Sequence, residues 1–463
     1  MHFEQFYLGC LSHASYLLAS GGVAVVVDPQ RDVEIYTKTA ADLGVHISHI
    51  FETHLHADFV SGHRELAALT GATIYMGAEA GAKFPHEPLH EGDEVRFGEC
   101  RIRVLETPGH TPESVSLAVY DPKRTPQPWC VLTGDTLFIG DVGRPDLSPT
   151  HTPEQLAGML YDSLHTKLMA LPDDTLVYPA HGAGSLCGRN MRADRFSTIG
   201  TERRTNYALQ IATREEFVRQ LTTNLPARPE YFSKDAAINR EGATPLSELE
   251  PLVALSPAEV RLANKSGAFL LDVRPAEQFA AGHVPGSVNI GLGGQFASWA
   301  GAVIGIGAPV VVIADTDAKM QEARLRLARV GIENLIGYLH GGPEAWRSAG
   351  DGYQLARLEN VSPEKLRDFQ RDGLTVVDVR RRSEWDTGHI PGATHYALDD
   401  FRAQLPSLPP ESKIAVHCQG GYRSMVAASL LRRAGYKDVV NMAGGFDGWE
   451  KAGLPVETGA KAS

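Results

Sequence analysis

The architecture of the C-terminal half is decided by TVVDVRRRSEWDTGHIPGATHY (375–396), because FLLDVRPAEQFAAGHVPGSVNI (269–290) repeats it. The match continues beyond these two stretches: VVVIADTDAKMQEARLRLARVGI (310–332) aligns with IAVHCQGGYRSMVAASLLRRAGY (414–436), and HGGPEAW (340–346) aligns with AGGFDGW (443–449). An internal repeat of this length predicts two copies of one α/β unit, each of about 100 residues.

The second copy carries a cysteine at a chemically special place. The apolar run IAVH leads directly into Cys418 and the loop CQGGYRS, and a helical pattern comes next. A thiol between a strand end and a helix N-terminus faces converging backbone N–H groups and the positive end of the helix dipole, which stabilise a thiolate or persulfide. Gly420 and Gly421 let the loop curl, and Arg423 adds a positive charge. The loop is therefore a candidate anion cradle.

A lone cysteine is usually a small buried hydrophobe, and a cysteine loop before a helix also describes Cys-dependent phosphatases. Here the six-residue loop from Cys418 to Arg423, the tandem copy and the DVR, GHIPGA and AGGFDGW motifs favour sulfur chemistry. Over roughly 357–455 the chain resembles the rhodanese family. That resemblance implies that Cys418 carries a sulfane sulfur, with Arg423 as a catalytic residue and Gly420 and Gly421 in the substrate cradle.

In the first copy, alignment on the following glycine places Ala314 where Cys418 stands and Lys319 where Arg423 stands. This copy resembles rhodanese but cannot form a persulfide. We expect a docking or spacer role for it.

The N-terminal half alternates short β-branched runs with helical patterns, which predicts an α/β layered domain up to about residue 185. Residues 186–240 look helical and polar, and the pattern of 242–252 is typical of a linker. The predicted strands are VAVVVDP (23–29), ISHIFET (47–53), RIRVLETP (101–108), CVLTGD (130–135) and TLVYPAHG (175–182).

Four short motifs at the ends of predicted strands contain histidines and aspartates. They are THLHAD (53–58), TPGHT (107–111), TGD (133–135) and PAHG (179–182). Convergent imidazoles and carboxylates at strand ends predict a metal pocket, although a single HxH pair would be weak support for one.

These fragments resemble the metallo-β-lactamase superfamily over about 1–240, in the branch with glyoxalase II and persulfide dioxygenases, which implies an αββα sandwich. The superfamily motif HxHxDH is incomplete here, because Phe59 follows Asp58 in place of the final histidine. A phenylalanine there is expected to cripple a second metal site. The resemblance to persulfide dioxygenases then implies one Fe(II) per chain held by His54, His110 and Asp135, an arrangement that suits non-haem iron.

His56, Asp58 and His181 would orient ligands or substrate by hydrogen bonds. The alternative is zinc on His54, His56 and His110, which would hydrolyse a thioester through bound hydroxide.

Three further residues near the predicted metal are candidates. Arg144, in FIGDVGRPDL, matches an arginine that helps hold the thiol substrate in persulfide dioxygenases, and its structural alternative is a salt bridge with Asp141 or Asp146. Cys187, in the Gly-rich HGAGSLCGRN, is a possible sulfur relay, and Cys10 is a weaker candidate of the same kind.

Whole-chain properties exclude other classes. The chain has 463 residues, a formal charge of −12 and no dense Lys/Arg block, which argues against nucleic acid and anionic membrane surfaces. No run approaches the roughly 20 apolar residues of a membrane helix, so we expect a cytoplasmic protein. Five cysteines are too few and too scattered for a disulfide framework; the strand-like surroundings of Cys100 and Cys130 predict core residues.

The joint resemblance is to persulfide dioxygenase–rhodanese fusions with an additional cysteine-less rhodanese copy. It implies a metallo-β-lactamase-fold domain at 1–245, an inactive rhodanese-like domain at 255–355 and an active one at 357–460. The expected reaction oxidises a low-molecular-weight persulfide, of glutathione or coenzyme A type, with oxygen to sulfite. Cys418 would then form or use thiosulfate in sulfide detoxification. Related folds suggest a homo-oligomer, whereas the thiol carrier and the direction of the sulfur transfer stay open.

Overall fold

The structure is a computed structural model that describes residues 1–223, 225, 228–371, 373–409 and 411–458. Residues 459 and 460 of the predicted third domain lie outside the described residues. The chain forms two compact units, the first comprising residues 1–249 with 328–331 and the second comprising 250–327 with the described residues from 332 onward. No helix among the described residues has the length and apolarity needed to cross a membrane.

The first unit contains two six-stranded sheets, with strand orders β1-β2-β3-β4-β5-β6 and β12-β11-β10-β9-β8-β7. The strands of the first sheet are β1 (His2–Leu8), β2 (His13–Ser20), β3 (Val23–Val27), β4 (His46–Phe51), β5 (Thr73–Gly77) and β6 (Glu87–Leu89). Those of the second are β7 (Glu94–Phe97), β8 (Cys100–Glu106), β9 (Val115–Tyr120), β10 (Cys130–Gly134), β11 (Leu176–Pro179) and β12 (Ser197–Thr198).

In the described part of this unit, the sheets are accompanied by helices α1 (Glu34–Leu43), α2 (His63–Thr70), α3 (Pro153–Thr166), α4 (Ile199–Thr205), α5 (Arg214–Thr222) and α6 (Glu230–Glu241). The sequence explains where α3 begins. The Thr152 side chain accepts from the backbone N–H of Gln155, the Gln155 side chain accepts from that of Thr152, and Pro153 occupies the first helical position. The predicted linker contains a short 3-10 helix, Leu246–Glu248.

Alternate side chains of β3 point to opposite faces of its sheet, and this alternation shows how the layers form. Val25 and Val27 pack between the sheets, against Ile102 and Leu117 of the second sheet. Val26 points the other way and belongs to the core beneath α1 and α2. A third core lies between the outer face of the second sheet and helices α3 to α5. The layers run helix, sheet, sheet, helix, so the predicted αββα sandwich is confirmed.

The second unit contains two five-stranded parallel sheets of equivalent order, β13-β17-β16-β14-β15 and β18-β22-β21-β19-β20. The first copy has β13 (Ala254–Leu255), α7 (Pro257–Lys265), β14 (Phe269–Asp272), α8 (Ala276–Ala281), β15 (Val288–Asn289), α9 (Phe296–Val303), β16 (Val310–Ile313), α10 (Asp317–Ala328), β17 (Leu335–Leu339) and α11 (Gly342–Arg347). The second has β18 (Glu359–Val361), α12 (Pro363–Arg371), β19 (Thr375–Asp378), α13 (Arg382–Thr387), β20 (Thr394–His395), β21 (Lys413–His417), α14 (Tyr422–Arg433), β22 (Asp438–Met442) and α15 (Gly445–Lys451).

The repeated DVR motif has the same role in both copies. Asp272 is buried in an ion pair with Arg274, and Asp378 is buried in an ion pair with Arg380. In each case the carboxylate at the strand end accepts from the guanidinium two residues further along the chain. The two predicted rhodanese-like α/β folds are confirmed.

Candidate functional site

The histidines and aspartates of the predicted metal site lie in loops that follow β4, β8, β10 and β11. His54, His110 and Asp135 are buried there, and one ligand-capable atom of each lies within 4.8 Å of the others. His110 Nε2 stands 3.3 Å from Asp135 Oδ2, and His54 Nε2 stands 3.8 Å from the same oxygen. The loops therefore gather two imidazoles and one carboxylate in one place.

Hydrogen bonds fix the tautomers of both imidazoles. The Thr53 hydroxyl donates to Asp28 (2.9 Å), so it accepts from Nδ1–H of His54 (3.0 Å). His110 donates from Nδ1–H to the backbone carbonyl of Arg144 (3.0 Å). In both rings Nε2 is consequently left with a lone pair that faces Asp135.

This donor set fits a metal ion. His110 Nε2 and Asp135 Oδ2 are buried, and neither has a hydrogen-bond partner among the described residues. An unsatisfied buried pair of this kind is costly, and a cation between the two atoms would satisfy both. Two neutral imidazoles and one carboxylate with open positions are a donor set typical of non-haem Fe(II).

Asp135 is held as a carboxylate. Its Oδ1 accepts from Nδ1 of His181 at 2.7 Å. Burial would raise the pKa of Asp135, but the imidazoles of His181, His54 and His110 outweigh it and hold that pKa well below the usual range. Burial, helped by neighbouring His56, lowers the pKa of His54 well below its usual value, so its ring is neutral and able to donate electrons to a metal.

The ring of His56 lies 4.2 Å from that of His54, but its ligand atoms group with Asp28 and Glu52 rather than with this donor set. Its Nε2 stands 3.1 Å from Asp28 and 3.5 Å from Glu52, and all three residues are buried. Burial alone would lower the pKa of His56, but the carboxylates of Asp28 and Glu52 raise it. This geometry favours His56 as a residue that braces the site, and it disfavours the alternative ligand set of His54, His56 and His110.

Asp58, His181 and Cys187 form a second buried group of potential ligands within 4.8 Å of one another. His181 connects this group to the first, because its Nε2 stands 2.9 Å from Asp58 Oδ2 while Nδ1 meets Asp135. Burial would lower the pKa of His181, but Asp135 and Asp58 raise it well above the usual value. His181 is thus an orienting residue between two carboxylates.

Phe59 occupies the position of the last histidine of the superfamily motif. Its buried ring lies 4.4 Å from the ring of His56 and 4.1 Å from that of His13. His13 is fully buried, and neither of its ring nitrogens has a hydrogen-bond partner among the described residues. Burial, with His181 and His56 nearby, lowers the pKa of His13 well below its usual value, so the ring is neutral.

Arg144 reaches the site through its backbone. Its guanidinium is paired with Asp146 at 2.6 and 2.9 Å, the second of the two salt-bridge partners that the sequence suggested. Asp141 instead accepts from the backbone N–H groups of Arg189 and Asn190. A substrate-holding role for the Arg144 side chain stays a prediction.

Cys187 is buried beside the metal-ligand candidates. Burial, followed by the charges of Asp58 and Asp135, raises the pKa of its thiol well above the usual value. A thiol in this setting is protonated and a poor nucleophile until something displaces those carboxylates. Its relay role stays a prediction, as does that of Cys10, which is half-buried.

In the second unit the Cys418 loop forms a cradle between two helix N-termini. The N–H of Gly421, at the N-cap of α14, donates to Cys418 Sγ at 3.1 Å, and Ser424 Oγ lies 3.5 Å from the same sulfur. The first amides of α15 hold the other side of the loop, since Phe446 N–H donates to the carbonyl of Cys418 at 2.7 Å. Gly420 lies in the bend between Cys418 and Gly421.

Arg423 does not bring an unshared positive charge to this cradle. Its guanidinium forms two hydrogen bonds with the carboxylate of Glu384, at 2.7 and 2.6 Å. Arg380, which pairs with Asp378, also donates to Gln419 of the loop at 3.0 Å. Two buried or half-buried ion pairs therefore frame the cysteine, and Arg423 serves as an oriented donor rather than an isolated cation.

Asp28 and Glu52 are site residues that the motifs above do not include. Asp28 accepts from the backbone N–H of Thr53 at 2.7 Å and adopts a φ of 51°, a left-handed conformation that aspartate tolerates better than most residues. Both carboxylates follow directly on the adjacent strands β3 and β4. That position is the signal that could have found them.

Comparisons with known proteins agree with this arrangement. Residues 8–181 match the metallo-beta-lactamase superfamily, and residues 256–349 and 362–452 each match the rhodanese-like domain. A metallo-beta-lactamase from Staphylococcus aureus, known as a crystal structure, is 31% identical, with a TM-score of 0.66, and the match covers 73% of this chain and 98% of that one.

Two curated relatives represent two activities. The mitochondrial persulfide dioxygenase ETHE1 of Homo sapiens is 31% identical over 210 residues, which cover 44% of this chain and 73% of that protein. The hydroxyacylglutathione hydrolase of Acaryochloris marina is 39% identical over 163 residues, which cover 34% of this chain and 59% of the hydrolase. The fold and the gathered donor residues support a metal cofactor, and the domains indicate an enzyme. The chain belongs to the metallo-β-lactamase superfamily, as a homologue of persulfide dioxygenases in which the N-terminal domain is followed by two rhodanese-like domains.

Proposed function

We propose that the N-terminal domain is a mononuclear iron persulfide dioxygenase and that Cys418 of the last domain transfers sulfane sulfur, as parts of one sulfide-detoxifying enzyme. The dioxygenase would oxidise a low-molecular-weight persulfide, RSSH, to sulfite. The observation that carries this proposal is the buried set of His54, His110 and Asp135, whose ligand atoms lie within 4.8 Å of one another while His56 groups with Asp28 and Glu52.

Bound Fe(II) would supply open coordination positions and the electron chemistry that activates oxygen. The residues around it hold the donors ready. Thr53 orients His54, the carbonyl of Arg144 orients His110, and His181 orients Asp135. We propose in addition that the Arg144 guanidinium, shared with Asp146, helps hold an anionic group of the thiol carrier.

The sulfur transfer is an exchange at one S–S bond. The Cys418 thiolate attacks the outer sulfur of thiosulfate, the S–S bond breaks, and sulfite leaves with the electron pair. Cys418 then carries the persulfide. A thiol acceptor can take the outer sulfur to give RSSH, and sulfite attacking the same sulfur runs the first step backwards. The Gly421 N–H, which reaches Sγ, supports the anionic form of the cysteine in either direction.

A comparison of three chains tests the proposal: wild type, Cys418→Ser and His110→Ala, each purified without added metal and then loaded anaerobically with Fe(II). Oxygen uptake is measured with glutathione persulfide and with coenzyme A persulfide, and thiosulfate formation or use is measured in parallel. Cys418→Ser should keep oxygen uptake and lose thiosulfate turnover, whereas His110→Ala should do the reverse. Absence of oxygen uptake by iron-loaded wild type would remove the dioxygenase.

The second candidate is a zinc-dependent thioester hydrolase of glyoxalase II type fused to a sulfurtransferase. The 39% identity to a hydroxyacylglutathione hydrolase over 163 residues favours it. The position of His56 counts against it, because its Nε2 stands 3.1 Å from Asp28 and its ligand atoms do not group with those of His54 and His110. Stoichiometric zinc in the purified protein, together with hydrolysis of S-lactoylglutathione and no oxygen uptake, would establish this alternative instead.

A further inference from the structure

We infer that the cysteine-less copy is part of the Cys418 site: segment 291–299 holds the Cys418 loop through Tyr422 and forms one wall of the pocket for a small sulfur oxyanion. This inference rests on the proposed sulfur transfer at Cys418 and assigns the first copy a task in that reaction. Both copies lie in the second compact unit.

Tyr422 is the link between the two copies. It is the first residue of α14, directly after the Cys418 loop, and its hydroxyl donates to the backbone carbonyl of Gly291 at 2.7 Å. A Cβ on Gly291 or on Gly294 would stand 3.9 Å from the Tyr422 ring, so the ring packs directly on this glycine-rich backbone. Burial raises the pKa of Tyr422, and the phenol therefore stays a protonated donor.

Segment 291–299 is itself held in place by the first copy. The guanidinium of Arg326, on α10, donates to the backbone carbonyls of Leu292 and Gly294 and lies over the ring of Phe296. Helix α10 is the counterpart of α14, the helix that comes after the cysteine loop. The first copy has lost the cysteine but keeps its helix in contact with this segment.

Helix α14 is docked on the first copy along its length as well. The backbone N–H of Asn289 donates to Ser429 Oγ at 3.0 Å in a buried contact. Near the end of the helix, Arg433 donates to the carbonyls of Gly286 and Ala268 at 2.8 and 3.0 Å. Because the N-terminus of α14 provides the amide that meets Cys418, these contacts set the direction in which the cradle points.

The two copies also line one pocket. A cavity of about 440 Å³ lies beside the cysteine loop, with Gln295 and Trp299 on the side of the first copy and Arg381, Glu384 and Arg423 on the side of the second. Arg423 shares its charge with Glu384, and with Arg381 it still gives the cavity two guanidiniums opposite a polar amide. Such a lining suits a small oxyanion, since arginine matches its oxygens with N–H donors. Gln295 is thus the residue of the first copy best placed to affect how thiosulfate or sulfite binds.

Four substitutions in the full chain test the inference. Gln295→Glu places a negative charge in the pocket. The KM for thiosulfate should rise roughly five-fold or more, with little change in kcat, because the new carboxylate repels the thiosulfate anion. Its control, Gln278→Glu, makes the same change at an exposed position of the same copy. Tyr422→Phe removes the hydroxyl bonded to Gly291 and should slow sulfur loading of Cys418 roughly three- to ten-fold.

The control for Tyr422→Phe is Tyr436→Phe, because Tyr436 also donates to backbone carbonyls, those of Pro406 and Leu408, within the second copy. Both controls should match wild type, and thermal unfolding should show that all four variants are folded. Wild-type KM in Gln295→Glu together with a wild-type loading rate in Tyr422→Phe would overturn the inference. Failure of the proposed function itself would be seen separately, as unchanged thiosulfate turnover in Cys418→Ser.

Discussion

Ala314 and Cys418 occupy the same place in the two rhodanese-like copies. The carbonyl oxygen of each stands 2.5 Å from where a Cβ would lie on the matching glycine, Gly342 or Gly445. The two loops differ beyond that position, because Lys319 is paired with the neighbouring Asp315 at 2.9 Å, whereas Arg423 is paired with the distant Glu384. The backbone frame is thus preserved, and the chemistry of the loop is not.

A cysteine at position 314 should therefore not restore activity. We expect Ala314→Cys, in a chain that also carries Cys418→Ser, to show less than about a tenth of wild-type sulfur transfer from thiosulfate to cyanide. The carboxylates of Asp315 and Asp317 come directly after the new thiol and disfavour its thiolate. Cys418→Ser alone is the control, and substantial persulfide labelling at position 314 would contradict the prediction.

The metal donors can be separated from the residues that brace them. His110→Ala should reduce bound iron to below about a tenth of wild type, since it deletes one of three donors. His56→Gln should keep most of the iron, because His56 meets Asp28 and Glu52 rather than the donor set. Elemental analysis after anaerobic loading measures both. Equal loss of metal in the two variants would instead support the ligand set that includes His56.

Arg144 offers a test of substrate binding that leaves the metal in place. Arg144→Ala keeps the backbone carbonyl that accepts from His110, so bound iron should be unchanged. The KM for glutathione persulfide should rise several-fold, because the variant removes one charge contact with the thiol carrier. Asp146→Asn is the matched control, because it removes the partner carboxylate and keeps the positive charge of Arg144. Unchanged kinetics in Arg144→Ala would make the residue purely structural.

A buried histidine should make the last domain sensitive to acid. Burial, helped by Arg380 and opposed by Asp378, lowers the pKa of His417 to about 4. Between pH 6.5 and 4 the unfolded chain therefore binds a proton that the folded chain refuses, and stability falls as the pH falls. The loss from this one residue should reach about 2 kcal/mol at pH 5.

His417→Asn should remove that part of the pH dependence. The measurement is amide-exchange protection of β21 between pH 7.5 and 5, corrected for intrinsic exchange rates. His340→Asn, at an exposed position, should retain the wild-type slope. A slope in His417→Asn equal to that of wild type would contradict the prediction.

The fold could be predicted from the sequence where the pattern is local. The predicted strand 101–108 corresponds to β8, and the repeat defines both C-terminal copies. The predicted strands do not include β1, which is mostly half-buried and shows no clear alternation. They do not include β2 either, which is buried along nearly its whole length and so shows no alternation. The two-residue strands β15 and β20 exist only because a neighbouring strand pairs with them, which no local pattern can indicate.

The candidate site could be predicted only where its residues fall into known motifs. The sequence points to His54, His110 and Asp135 because their motifs come after strand-like runs and resemble those of persulfide dioxygenases. Asp28 and Glu52 obey the same rule, since Val27 and Phe51 are paired neighbours at the ends of β3 and β4, but neither lies in a recognisable motif. The contact between Tyr422 and Gly291 depends on how two copies pack, so sequence alone could not predict it.

Gly445 connects the geometry of the cysteine loop to its activity. The residue has a φ of 58°, and a Cβ there would stand 2.5 Å from the carbonyl oxygen of Cys418. Gly435 also has a positive φ, 102°, but a Cβ there would meet nothing within 4 Å. Substitution therefore strains the backbone at both glycines, and only at Gly445 does it also create a clash with the loop.

We expect Gly445→Ala to lower sulfur transfer roughly ten-fold or more, because the carbonyl of Cys418 must move and its hydrogen bond from Phe446 N–H is lost with it. Gly435→Ala should lose about 1–2 kcal/mol of stability and keep the wild-type rate once folded. Sulfurtransferase assays at a temperature where both variants are folded separate the two effects. Equal activity in the two variants would mean that the cradle tolerates displacement of the loop, and the role given to the Gly421 amide would then have to be abandoned.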